Sequence, residues 1–390
     1  MQTLSIQPGN IALSGLPMYF NVLTEATLGD PYSPAPPPNH SVTMDILIEE
    51  TIGAGVFMSL GSVISKVSDA DNNFAFDVSA TFTAYLQDIF KPLASPIGAG
   101  HQNTADIQRR YKLNFTEKSG VTVLHTLIMS TPKTVWYGID SLDVTFPPES
   151  DSTAWITPFP LYRFVNLEKT VLISWYNWTG SAQNFVPKFE LYGRDNVLLT
   201  TMLGGGAEFP ASIAAGQIVT YDLGNINFTP MYPLSIIGKM VVSADDSSLV
   251  VPMTFYNDMY TQENERMLIF RNRKGVFESM RCTGEFTQDI EVTRYESLTT
   301  SDYTTPQQYW GHRRQYDADL TTVLTFRTGY ISKEEKTALA EMFITNDVWW
   351  LTADNKHVPL RLLDNKFEMF DSFENLDSVT FRCAPRNVEK

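Results

Sequence analysis

The sequence predicts a mainly β protein, with two β-sandwich- or barrel-like domains followed by a C-terminal β-barrel-like domain that carries one packed α-helix. Three observations carry this expectation. Aromatic residues make up 12% of the 390-residue chain, with 24 Phe, 17 Tyr and 7 Trp, and aromatic and β-branched side chains fit a pleated, half-buried surface. The 22 Pro and 22 Gly punctuate the chain into short segments of the kind that alternate strand and turn. Helical period and a capping signal coincide in a single place, at Ser332.

Taken in order, Leu4, Ile6, Ile11 and Leu13 alternate as a strand, Gly15 to Pro17 turn the chain, and Met18 to Leu23 resume it. The proline-rich stretch 31–38 lacks the N–H groups a central strand needs, so it is expected as a stiff exposed loop. Ser41 to Glu50 is a strand with Val42, Met44, Ile46 and Ile48 on one face. Val56 to Val67 and Phe74 to Thr83 follow as strands, Ala84 to Phe90 as a short helical turn. Arg110 to Glu117 and Val121 to Met129 form a hairpin around Lys118-Ser119-Gly120. Alternation stops at Phe146 to Pro160, which sets the first domain boundary, and the domains are expected at 1–150, 151–256 and 257–390.

In the middle domain strands are expected at Thr170 to Trp178, Phe185 to Tyr192, Val197 to Met202, Ile218 to Leu223, Ile236 to Ser243 and Leu249 to Tyr256. That spacing is the mark of a sandwich or barrel. In the last domain Met267 to Arg271 and Val276 to Arg281 flank a tight Asn-Arg-Lys-Gly turn, and Leu320 to Thr328 is another strand. Ser332 with Glu335 spells a capping box, in which each side chain satisfies an orphan N–H of the first helical turn. Leu339, Met342 and Phe343 share one face of that helix, with Lys333, Glu334 and Lys336 outside, and Asn346-Asp347 ends it. Strands at Val348 to Thr352, Val358 to Leu363 and Ser378 to Ala384 complete the set.

The net charge of -15 and pI near 4.8 repel phosphate backbones and disfavour specific nucleic-acid binding. The short basic runs Arg109-Arg110, Arg271 to Lys274 and His312 to Arg314 are expected as solvated turns or interface ion pairs. Two cysteines, Cys282 and Cys383, make no disulfide framework and are expected as buried free thiols, with a single bridge as the alternative. The N-terminal sequence lacks a basic region followed by an apolar core, and no run of 18 apolar residues occurs. A soluble chain made in a cytoplasm, with no membrane span, is the expectation. The acceptor patterns at Asn39, Asn114 and Asn177 then never meet a glycosylating enzyme.

Catalytic and metal-binding signatures are weak throughout. His40, His101, His125, His312 and His357 have no ligand at metal spacing. Gly204 to Gly206 is followed by Ala-Glu-Phe-Pro, so a phosphate cradle would lack its lysine. Asp71, Asp151, Glu208 and Asp245-Asp246 are the carboxylates from which a glycosidase pair would come, yet each sits in a turn-like stretch where solvated acids belong. Trp175 to Trp178 and Trp349-Trp350 suit core and protein interface better than a sugar-stacking platform, since neighbours on a strand face opposite sides. No catalytic, cofactor-binding or metal-binding residue is assigned, and the expectation is a protein that is not an enzyme and needs no cofactor.

Ala12 to Pro17, Val135-Trp136-Tyr137-Gly138-Ile139, Trp155-Ile156-Thr157 to Pro160, and Met267 to Glu278 follow one another in the chain, before Thr328 to Ser332 and the helix. In this order the segments resemble tail-associated structural proteins in phages and prophages of Bacteroidota-type bacteria. Lys274 and Val276 depart from the aromatic or small residues usual around that turn. The resemblance implies a virion component of the tail tip, baseplate or distal tail, assembled as a symmetric ring through contacts with other tail proteins and copies of itself. It also implies that residues from about 255 onward are the assembly module. A capsid or receptor-binding virion protein, or a carbohydrate-binding β-sandwich, is the alternative expectation.

Overall fold

The computed structural model describes residues 3–6, 11–23, 39–51, 53–67, 74–89, 101–103, 108–138, 155–177, 186–204, 213, 218–225, 233–245, 251–258, 265–298, 313–345, 347–354, 356–364 and 376–386. The chain is mainly β. It divides into two compact units, Met1–Met259 with Arg271–Glu278, and Tyr260–Phe270 with Ser279–Lys390.

The first unit contains β1 (Thr3–Ile6), β2 (Ile11–Leu13), β3 (Tyr19–Leu23), β4 (His40–Glu49), β5 (Phe57–Val67), β6 (Phe74–Asp77), α1 (Ser79–Ile89), β7 (His101–Asn103), β8 (Gln108–Ser119), β9 (Thr122–Ile128) and β10 (Lys133–Trp136). It continues with β11 (Tyr162–Val165), β12 (Leu172–Tyr176), β13 (Pro187–Gly193), β14 (Leu198–Leu203), β15 (Ile218–Asp222), β16 (Ile237–Ala244) and β17 (Met253–Asn257).

The period-two pattern of β4 is realised as expected: Val42, Met44, Ile46 and Ile48 are buried, and Thr43, Asp45 and Leu47 between them are half-buried. β4 sits inside a six-stranded sheet, β2-β10-β8-β4-β5 with β9 on β8, and opposes Met44 to Phe115, Ile46 to Leu113 and Ile48 to Tyr111. A second sheet, β1-β3-β6, supplies Phe20, Val22, Phe74 and Phe76 to the same core. Rings meet across it: Phe20 and Tyr111 lie edge to face at 6.4 Å, and Phe76 and Phe115 are tilted against each other at 5.8 Å.

One expected element changes in kind. Phe74 to Thr83 forms a strand only as far as Asp77, and a three-turn helix then runs from Ser79 to Ile89 in place of a single turn. Val78, Phe82 and Leu86 are buried, and their i, i+4, i+8 spacing is helical, although Thr81, Phe82, Thr83 and Tyr85 favour strands. Asp77 starts the helix by accepting from the backbone N–H of Ser79 (3.0 Å) and of Met18 (3.1 Å). Burial opposes its charge, but these donors outweigh it and hold the carboxyl below its usual range.

A further pair of sheets, β11-β17-β16-β13-β14 and β12-β15-β7, encloses a second core. Here the chain before residue 150 contributes a strand to the middle region, because β7 pairs with β15 (Val219↔Asn103). β12 is buried along its whole length. Trp175 packs into the second core and its neighbour Tyr176 into the first, where it meets Trp136 edge to face at 4.9 Å.

The second unit holds most of β18 (Arg266–Arg271) and β19 (Phe277–Cys282), whose ends at the turn belong to the first unit. It also holds β20 (Phe286–Leu298), β21 (Arg313–Ser332), α2 (Lys333–Ile344), β22 (Val348–Leu351), β23 (His357–Leu362) and β24 (Leu376–Pro385). Its sheet is open, ordered β19-β18-β22-β23-β24-β21-β20. The capping box forms as the sequence requires: Ser332 Oγ accepts from Glu335 N–H at 3.1 Å, and Glu335 Oε2 accepts from Ser332 N–H at 3.0 Å. Phe343 meets Phe381 of β24 edge to face at 5.7 Å. Lys336 is buried rather than outside, because it lies three and seven residues before Leu339 and Phe343, on the same stripe. Replacing Ser332 by alanine is expected to cost about 1 kcal/mol, read as a lower urea midpoint with an unchanged slope.

Candidate interaction surfaces

The described candidates for chemistry sit on separate elements. His40 opens β4, is buried, and places Nε2 2.7 Å from Glu117 Oε1 with Phe74 edge-on at 5.1 Å, a packing role. His125 is exposed on β9, His357 is half-buried with its pKa lowered by burial, and His101 lies in β7. Asp245 is exposed after β16, and Gly204 extends the β13–β14 ladder by donating to Pro187 C=O at 2.7 Å. Asp71, Asp151, Glu208, Asp246, His312, Gly205, Gly206, Trp178 and the proline-rich stretch 31–38 lie outside the described residues. Among the described residues no group of three His, Cys, Asp or Glu could hold a metal ion, and no helix is long and apolar enough to cross a membrane.

Cys282 and Cys383 are free and buried. Burial pushes the Cys383 thiol up to about 12 and raises that of Cys282 as well, so neither supplies a reactive thiolate near neutral pH.

The turn between β18 and β19 is tightly held within the first unit. Arg271 was expected in a solvated turn or an interface ion pair, yet it is 1% exposed, with its guanidinium 4.1 Å from the centre of the Tyr137 ring and 5.6 Å from that of Phe277. Stacking on aromatic faces is what lets a guanidinium leave water. Asn272 Oδ1 accepts from the N–H groups of Lys274 and Val276, while its Nδ2 donates to Ile156 C=O and to Glu278 Oε1, both at 3.3 Å. Fully buried Glu278 in turn lies 3.8 Å from Arg163, whose guanidinium covers the Phe159 ring at 4.0 Å. Changing Glu278 to glutamine keeps its shape and removes its charge beside Arg163. The expected loss is about 1–3 kcal/mol in urea unfolding.

Two exposed surfaces were not legible as sites. The first is on the outer face of β11 and β17, where the rings of Phe164 and Tyr256 stack at 5.3 Å and 28° beside exposed Tyr162. The second is larger. β20 pairs with β21 along its full length, but β24 covers the other edge of β21 only from Leu324 to Ser332. Beyond that point the two strands run on as a ribbon, and every described side chain from Gln288 to Glu296 and from Asp317 to Leu320 is exposed.

Paired residues share a side of a ribbon, so the register assigns its two sides. Val292 opposes Leu320, and with Ile290 they form an apolar side, Ile290 and Leu320 being 67% and 71% exposed. The other side carries Asp289, Glu291, Asp317 and Asp319, with Tyr295 OH donating to Asp319 at 2.8 Å and Arg382 3.4 Å from Glu291. At the base of the ribbon an open cleft of about 460 Å³ is bordered by Leu320, Thr322, Pro385 and the exposed Arg361 and Arg386. Comparison with protein-family models and with curated proteins finds no match.

Proposed function

We propose that this chain is a non-enzymatic structural protein of a virion, a component of a phage tail at its tip, baseplate or distal end. It assembles into a ring through contacts with copies of itself and with other tail proteins, after synthesis in the host cytoplasm. The observation that carries this reading is the β20–β21 ribbon. A long sheet edge with an apolar side open to water is an aggregation hazard that proteins shorten, charge or cover. Here the ribbon is long and its apolar side is uncovered by any described residue of its own chain, as an assembly element requires. The net charge of -15 also suits a conduit through which DNA slides without sticking.

The test is light scattering and negative-stain imaging of the purified chain over a range of concentrations. Rings or tubes are the expected result, and a monomer at every concentration would overturn the reading. The stacked pair Phe164 and Tyr256 favours a second reading, carbohydrate binding, since exposed ring faces can hold a sugar. Retardation of the monomer in a polysaccharide gel, abolished by Phe164→Ala, is the result that reading requires.

A further inference from the structure

We infer that β20 is the seam between two copies of this chain, pairing antiparallel with β20 of a second copy about a two-fold axis through Val292. The inference rests on the reading of the chain as a self-assembling protein and adds to it a contact, a register and a symmetry.

The backbone makes the first part of the case. β20 is the outermost strand of its sheet, and its partner β21 lies on one side only. Among the described residues no strand pairs with its outer edge, so the N–H and C=O groups that alternate along that edge offer a template for another extended strand.

The side chains then select the occupant and the register. For the apolar sides of two identical strands to be continuous, paired positions must have the same parity, because successive residues face opposite sides. Registers centred on Ile290 or Glu291 are excluded by charge: the first sets Asp289 against Glu291, the second sets Glu291 against itself. A register centred on Arg294 sets two guanidinium groups together. One centred on Thr293 sets Ile290 against Glu296 and reaches across the bulge between Tyr295 and Glu296.

The register centred on Val292 avoids the like-charge pairs and sets three residues on each side of its axis before the bulge. It opposes Val292 to Val292, Glu291 to Thr293, Asp289 to Tyr295 and Ile290 to Arg294, within the regular stretch of the strand. No acid faces an acid, and the aliphatic stem of each Arg294 lies over the Ile290 of the other copy, covering the exposed apolar side as long cationic side chains do. An edge contact of this length is smaller than the roughly 1,200 Å² of a standard interface. The pairing is therefore concentration-dependent and works together with other contacts in a larger assembly.

Disulfide trapping tests the register directly. Cys282 and Cys383 are buried, so mild oxidation of the native protein reports on an introduced thiol. Full-length Val292→Cys is expected to cross-link to itself as a covalent dimer. Ile290→Cys alone stays monomeric on denaturing gels, because its counterpart lies four residues along the partner strand. A mixture of Ile290→Cys and Arg294→Cys proteins links across the seam.

The charge arrangement gives a second arm. Thr293→Glu places an acid against Glu291 of the other copy and is expected to weaken association at least tenfold in light scattering. The double variant Glu291→Lys with Thr293→Glu restores it, and circular dichroism confirms that each variant folds. Failure of Val292→Cys to cross-link where the native protein self-associates overturns the inference and leaves the assembly reading intact. Dimers trapped at residue 292 without rings would support the seam and overturn the ring.

Discussion

Gly275→Ala is expected to prevent the chain from accumulating as folded protein, at a cost of about 4 kcal/mol or more. Gly275 has φ of +81°, and a Cβ built on it would lie 1.7 Å from the carbonyl oxygen of Tyr137 and 2.9 Å from its carbon. Backbone cannot rotate away from such a contact as a side-chain end can. The turn has no slack either, because Asn272 holds it from both sides and the Tyr137 ring carries the guanidinium of Arg271. Gly120 is the control. Its φ of +57° is also left-handed, but nothing lies within 4 Å of its Cβ position, so alanine there costs only about 1–2 kcal/mol of backbone strain. The two variants share the conformational penalty and differ in the clash, and thermal melting of the purified proteins separates them. Gly275→Ala melting within a few degrees of the native protein would contradict the account of the turn.

This turn shows how far the sequence is legible. The hairpin around Asn272 to Gly275 follows from turn chemistry, and so does the capping box at Ser332, because both signals are local. The strand β4 is equally plain, since one buried face imposes period two. Features set by what lies across the fold do not announce themselves. Arg271 reads as a solvated charge until Tyr137 is brought beneath it from a distant segment. The helix α1 is hidden by its strand-favouring residues, and burial of Val78, Phe82 and Leu86 overrides their propensity. The ribbon is hidden for the opposite reason: every side chain from Gln288 to Glu296 is exposed, so no hydrophobic face separates that stretch from an ordinary polar loop.

Trp175→Ala is expected to destabilise the first unit by about 3–5 kcal/mol, lowering its melting midpoint by roughly 10 °C. Adjacent aromatic residues on a strand face opposite ways, and on a sheet with one wet side one of the pair would reach solvent. β12 has no wet side. The Ser174 hydroxyl pairs at 2.9 Å with that of Thr220 on β15, and burial pushes the Tyr176 hydroxyl up to about 12, as a ring held inside a core requires. Trp175 is fully buried with Ile173, Val219 and Tyr221 around the second core, and its strand binds Trp155 through an isolated bridge. Truncation therefore opens a cavity that the sheet of β12 cannot close, since the first core already holds that sheet on its other face. Phe164→Ala removes a comparable ring from the exposed face of β11 and is expected to shift the midpoint by at most a few degrees. If Trp175→Ala behaved like Phe164→Ala, β12 would not be the shared wall between two cores. The aromatic run at 175–178 would then regain its claim as a surface platform.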